Sequence, residues 1–280
     1  GRYIGRARCI CVTGSNGKTT TTSLIYRILR DAGMNVALGG NIGESFAYSV
    51  ATGEYDWYVL ELSSFQLDGM YRFRAHIGVL TNITPDHLDR YDHCFQNYVD
   101  AKMRITQNMT SRDFFIYSGD DEVIWQQLPK YDFRMKQLPF AARNAVASGA
   151  GDAFLCDGNF TAAVGRTSVE IDTAKLRIKG LHNAYNAMAA ALAALAAGVS
   201  PDVVRQSLYG FEPVEHRLEP VAEKGGVLWI NDSKATNVDS VYYALESMTR
   251  SVVWIAGGTD KGNDLSLIHI SEPTRQAEIS

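Results

Sequence analysis

The 280-residue chain is 46% hydrophobic and carries a formal charge of -4 at pH 7, enough apolar material for one large core or two ordinary ones. Its slight acidity leaves no global basic surface for nucleic acid or anionic lipid, so any phosphate recognition must be local. No apolar run approaches the roughly 20 residues that cross a bilayer, and residues 1–8 are polar and basic with no secretory core behind them, so a cytoplasmic protein without a membrane partner is expected.

Residues 9–12 form a short apolar run in which Cys9 and Cys11 alternate as packing residues; with Cys94 and Cys156 they make neither zinc-site spacing nor a disulfide scaffold. The run ends in Gly14-Ser15-Asn16-Gly17, and residues 18–30 then place apolar side chains at helical spacing, giving strand, glycine loop, helix. Further strands are expected at residues 35–38, 57–62, 77–81 and 114–117, separated by segments long enough for crossover helices. Short buried runs alternating with helices imply a mostly parallel sheet covered on both faces, an α/β fold. Over residues 152–178 the texture changes to short alternating runs broken by Asp157-Gly158 and Gly165-Arg166, which reads as hairpins in a small antiparallel subsheet.

An alanine-rich helix is expected at residues 183–197, closed by Gly198, and Ser200-Pro201-Asp202 carries the cap and first-turn chemistry of another. The domain boundary is expected near Glu212-Pro213. Beyond it, a strand at residues 226–230, a helix near 238–248 and a strand at 252–256 before Gly257-Gly258 read as the opening of a second, Rossmann-like α/β domain.

The strongest chemical signal is Gly14-Ser15-Asn16-Gly17-Lys18-Thr19-Thr20. Glycines let backbone N–H groups curl around phosphate oxygens, and the helix N-terminus adds its dipole. Lys18 supplies a charge for the β- and γ-phosphates and Thr19 a hydroxyl for Mg²⁺, although the full P-loop pattern wants glycine where Val12 stands. Glu61 ends the strand at 57–62, where open α/β sheets place ligands, and is a candidate metal ligand. Asp86, His87 and Asp89 cluster just past the next strand end. Lys102, by its own residue chemistry, reads as a solvated helix lysine.

These residues reach a family. The loop at Gly14 to Thr20, Gly39-Gly40-Asn41-Ile42-Gly43, Glu61-Leu62-Ser63-Ser64-Phe65-Gln66-Leu67, Asp86-His87-Leu88-Asp89-Arg90-Tyr91, Ala101-Lys102, His182-Asn183-Ala184-Tyr185-Asn186, His216-Arg217 and Asn231-Asp232-Ser233-Lys234-Ala235-Thr236-Asn237 follow the order seen in Mur ligases. The shortened P-loop is usual there. The serine pair, the Asp-Arg-Tyr ending and the Asp-Ser-Lys-Ala-Thr-Asn run resemble the branch that adds D-glutamate to UDP-N-acetylmuramoyl-L-alanine.

The resemblance implies an ATP-dependent amide ligase acting through an acyl phosphate, as a monomer. Lys18 and Thr19 would hold ATP phosphates and Mg²⁺, and Glu61 and His87 would complete metal coordination. Lys102 matches the family's carbamylated lysine. Asn183, Asn186, Arg217 and Asp232 match nucleotide positions, the two asparagines near adenine. Asn41 and Ser63 would line the muramoyl-alanine path, and Lys234, Thr236 and Lys261 would face D-glutamate. The implied domains are a central ATP-binding domain over residues 1–213 and the beginning of the C-terminal domain over 214–264, without the family's uridine-gripping N-terminal domain. Residues 265–280 resemble translated sequencing-library adapter and are expected to be foreign. Two other readings are a folylpolyglutamate-synthase-like ligase and a nucleotide-dependent switch; against the switch stand the missing Asn-Lys-x-Asp signature and the idle cluster of Glu61, His87 and Lys102.

Overall fold

The computed structural model describes residues 3–142, 152–212, 218–236, 238–248 and 250–257. Arg217, Lys261 and the expected foreign run at 265–280 lie outside the described residues. The chain divides into two compact units, Gly1–Glu212 and Pro213–Ser280.

In chain order the first unit contains β1 (Arg8–Thr13), α1 (Lys18–Asp31), β2 (Val36–Gly40), α2 (Phe46–Thr52), β3 (Trp57–Glu61), α3 (Ser64–Asp68), β4 (Ile77–Leu80), α4 (Phe95–Met103), β5 (Phe114–Ser118), α5 (Glu122–Gln127), β6 (Lys136–Ala141), β7 (Ala153–Cys156), β8 (Asn159–Val164), β9 (Thr167–Asp172), α6 (Leu181–Ala197) and α7 (Pro201–Tyr209). The strands form one nine-stranded sheet in the order β2-β3-β1-β4-β5-β6-β7-β8-β9. Pairing is parallel from β2 through β7 and antiparallel across β7, β8 and β9. The hairpins expected as a small antiparallel subsheet are present as β7, β8 and β9, and they extend the main sheet, because Phe140 and Ala141 of β6 pair with Ala153 and Phe154 of β7. β6 had no sequence signal: its run Lys-Gln-Leu-Pro-Phe-Ala mixes charge and proline, yet Pro139 sits opposite Tyr117 in the ladder.

From β1 the chain runs outward to β2, returns through β3, and resumes on the far side of β1 with β4. That reversal makes the C-terminal ends of β1, β3 and β4 a topological switch point, the place where open α/β sheets bind ligands. The core beneath is apolar on every central strand; Ile10, Val12, Val59 and Val79 are fully buried. α6 crosses this core. Eleven of its 17 residues are buried, a pattern that suits a helix covered on most sides, and alanine lets it approach closely. It packs on α1, α7 and the strands β4 to β8, and ends at Gly198 in the left-handed conformation. Ser200 and Pro201 open α7 as their chemistry requires.

The second unit, taken by itself, holds an antiparallel pair β10 (Glu219–Lys224) and β11 (Val227–Asn231), followed by α8 (Val238–Glu246). The strand expected at residues 252–256 pairs with no other described strand. Among the described residues no helix is long and apolar enough to cross a membrane.

Candidate active site

The glycine loop between β1 and α1 is held in shape from the end of β4. Gly14 has φ 149° and Gly17 φ 81°, conformations that disfavour a side chain, and a Cβ at Gly14 would meet the Thr81 hydroxyl. Thr81 Oγ1 donates to Asn16 O at 2.6 Å, Asn82 Nδ2 donates to the same oxygen at 3.0 Å, and Asn16 N donates to Asn82 Oδ1 at 2.8 Å. Ser15 N donates to Asn82 O at 2.9 Å, while Ser15 Oγ donates to Thr84 O at 2.8 Å and accepts from Thr84 N at 2.9 Å. The loop is thus preformed, with Thr19 and Thr20 opening α1 at its mouth.

Two lysines converge on one carbonyl. Lys18 Nζ donates to Gly14 O and Ser15 O, both at 2.8 Å, and Lys102 Nζ donates to Gly14 O at 2.8 Å and to Thr13 Oγ1 at 3.5 Å. Lys102 is 2% exposed, which overturns its sequence reading as a solvated lysine; α4 turns it inward over the ring of Tyr98, one turn earlier on the same face. Burial, reinforced by the charge of Lys18, holds its pKa well below the ordinary lysine value. Tyr98 OH lies 3.0 Å from Ser15 Oγ, so α4 braces both loop and lysine.

Glu61, at the end of β3, is 2% exposed. Its Oε1 accepts from Asn41 Nδ2 at 3.0 Å, and its Oε2 is buried without a partner. Such a bare carboxylate oxygen fits a hard cation; the Thr84 hydroxyl, past the end of β4, is likewise buried without a partner. Among the described residues no three His, Cys, Asp or Glu stand close enough to hold a metal alone, so a cation here would need ligands beyond these types, such as hydroxyls, phosphates or a modified side chain.

Past β4, His87 takes φ 51°, rare for a residue other than glycine, and its ring packs edge-on to Phe65 at 5.3 Å. Asp86 Oδ2 lies 3.7 Å from His87 Nε2. Ser63 caps α3: its Oγ accepts from Gln66 N while Gln66 Oε1 accepts from Ser63 N, a capping box whose Ser-x-x-Gln signal is present in the sequence. On α6, Asn186 Nδ2 donates to Asn183 Oδ1 at 3.2 Å, and Gly17 lies so close that a Cβ there would strike Asn186 Oδ1.

The structure thus brings Gly14 to Thr20, Lys102 and Asn186 together, and Asn41 with Glu61. In the second unit Asp232 Oδ1 accepts from Leu218 N at 3.1 Å, and Lys234 and Thr236 are exposed. Sequence reasoning missed the clamp of Thr81, Asn82, Thr84 and Tyr98. The polar trio directly after a strand end carried a signal; Tyr98 carried only its four-residue spacing from Lys102.

Residues 12–194 match the family model described as the Mur ligase middle domain. The chain is 53% identical over 268 residues to the UDP-N-acetylmuramoylalanine--D-glutamate ligase of Bacteroides fragilis, covering 96% of this chain and 59% of that protein. It is 48% identical over 261 residues to the protein of the same name from Christiangramia forsetii, covering 93% and 58%. The chain spans somewhat over half the length of these relatives. Among solved structures, MurF from Acinetobacter baumannii superposes with a TM-score of 0.69 at 22% identity, covering 88% of this chain and 55% of that one. A pseudomurein peptide ligase type C from Methanothermus fervidus gives 0.65 at 21%, covering 89% and 57%, which speaks for the fold. With a glycine loop between strand and helix, a buried lysine at its back and the family model matched across most of the first unit, the chain belongs to the Mur ligase family.

Proposed function

We propose that the protein carrying this chain is an ATP-dependent ligase that joins D-glutamate to UDP-N-acetylmuramoyl-L-alanine in the cytoplasm, through an acyl phosphate. The names of the relatives at 45–53% identity support the substrates. The observation that carries the chemistry is the convergence of Lys18 and Lys102 on Gly14 O, beside a glycine loop already held in shape. The domain assignment follows: a central ATP-binding domain over 1–213, the start of a C-terminal domain over 214–264, and a foreign tail over 265–280.

In this reading the backbone N–H groups of residues 14–20 receive the triphosphate, and Lys18 leaves the loop carbonyls to pair with the γ-phosphate. The substrate carboxylate attacks that phosphorus, ADP departs, and the amine of D-glutamate then displaces phosphate from the acyl carbon. Carboxylate and triphosphate repel each other, so the protein's work is positioning and charge neutralisation. Mg²⁺ would be held by Thr19, Glu61, His87 and Lys102, and when bound it neutralises charge between phosphate and carboxylate. Glu61 fits this role through its bare Oε2. Lys102 would do so as a carbamate, which needs a neutral amine; burial and Lys18 favour that form. Asn41 and Ser63 would receive the muramoyl-alanine end, Asn183, Asn186, Arg217 and Asp232 the nucleotide, and Lys234, Thr236 and Lys261 the incoming D-glutamate.

Lys18→Ala in the full-length protein is expected to lower turnover by about a hundredfold or more, measured as phosphate release dependent on both substrates, because the loop loses its mobile cation. Near-normal turnover would sink the assignment.

A further inference from the structure

We propose that Thr21 is a positioning residue for the nucleobase: its hydroxyl fixes the amide of Asn186, so that Asn186 offers one acceptor and one donor to the edge of a 6-aminopurine. The proposal rests on the reading above that ATP binds beside Asn183 and Asn186. Thr21 belongs to no part of the glycine-loop pattern. It sits one turn into α1, fully buried, and its Oγ1 donates to Asn186 Oδ1 at 3.1 Å across 165 residues of sequence. Thr22, next in the chain, turns its hydroxyl back onto Lys18 O of its own helix, the ordinary habit of a helical threonine. Thr21 instead reaches another element.

The polarity of the chain of amides is set from both ends. Lys179 O can only accept, and it takes Asn183 Nδ2 at 2.8 Å. That turns Asn183 Oδ1 toward Asn186 Nδ2, which donates to it at 3.2 Å. Asn186 Oδ1 must then face α1, where Thr21 supplies the donor. Asn186 is 5% exposed, so without that hydroxyl its oxygen would face α1 unsatisfied and the amide would lose the contact that holds its torsion.

Each group of the Asn186 amide retains capacity: a second lone pair on Oδ1 and a second hydrogen on Nδ2. One acceptor beside one donor matches the amino group and N7 of adenine, whereas guanine presents two acceptors on that edge. Asn186 stands beside the glycine loop, where Gly17 packs on its Oδ1, so a nucleotide held by that loop is within reach of its amide.

The test is direct binding of ADP and GDP by calorimetry to the full-length protein and its Thr21→Val, Thr21→Ala and Thr21→Ser variants, with steady-state kinetics in parallel. Thr21→Val, which keeps the shape, is expected to weaken ADP about fivefold, the net worth of one hydrogen bond, and to raise KM for ATP equally. Its kcat and KM for D-glutamate should stay unchanged, and the preference for ADP over GDP should narrow. Thr21→Ala, which cannot overpack, should show the same shift if the valine variant does not fold, and Thr21→Ser should restore wild-type affinity. In an Asn186→Ala background the Thr21 change should add nothing. Wild-type ADP affinity and purine preference in Thr21→Val, or a loss confined to kcat, would overturn the proposal. A wild-type protein that binds neither nucleotide would overturn the ATP reading and this one with it, before any variant is compared.

Discussion

At residue scale the first unit turns on groups whose environment departs from habit. Lys102 is a cation by residue type, yet it is enclosed, stacked over Tyr98 and set beside a second lysine. Desolvation and like charge both favour the neutral amine, the form that can take up carbon dioxide. Lys102→Ala in the full-length protein is expected to lower kcat by at least about a hundredfold, the scale of a lost electrostatic contact at the reacting phosphate. Short carboxylic acids added to the assay should restore part of the rate by supplying the missing anionic oxygen. Full activity without any acid would refute the role. Cys9 shows burial without chemistry: its thiol is pushed up to about 12 by desolvation, so it stays protonated and packs as a small apolar side chain.

At the scale of elements, the ends of the central strands divide the labour. Their C-terminal ends carry the loop, Glu61 and the polar clamp, while the opposite ends are pinned by Arg74 and Asp113. Arg74 Nε and Nη2 donate to the two Asp113 oxygens at 2.9 and 2.7 Å, and Asp113 Oδ2 also accepts from Thr110 N and Thr110 Oγ1. Burial alone would raise the Asp113 pKa; the Arg74 fork and the Thr110 bonds more than offset it and hold the carboxyl below its ordinary value. A carboxyl with a depressed folded pKa contributes stability that is complete above its unfolded pKa and lost as pH falls through the folded one. Acidification below about pH 4 should therefore weaken the first unit through this group. Asp113→Asn is expected to cost about 2 kcal/mol at neutral pH, less than for a fully buried pair, because the Arg74 side chain remains 30% exposed. Urea titrations at pH 7 and pH 3.5 would check both statements; an equal loss at the two pH values would contradict the linkage.

At the scale of the whole molecule, α6 joins the sheet to α1 and the glycine loop. Ala190 is fully buried on a helix that touches α1, α7 and several strands, so a larger side chain has nowhere to go. Ala190→Leu is expected to destabilise the first unit by about 1–3 kcal/mol and to lower its melting temperature. Unchanged melting in calorimetry would show that the helix can slide. Such a slide would carry Asn183 and Asn186 away from the glycine loop, so ADP affinity should then fall although melting does not.

Much of this was open to a reading of residues alone, because the signals are local. Strand, glycine loop and helix are written within residues 8–31, and Gly198 and Ser200-Pro201 punctuate helices by their own backbone preferences. The strand-end positions of Glu61 and His87 follow from the alternation of strands and helices. Only the tertiary structure decided the fate of Lys102, the bare oxygen of Glu61 and the reach of Thr21. Each depends on contacts across the fold: Gly14 O lies 88 residues from Lys102, Asn41 lies 20 from Glu61, and Asn186 lies 165 from Thr21. A side chain's charge, partners and orientation are set by what surrounds it, and that surrounding is assembled when the sheet brings distant strand ends to one edge.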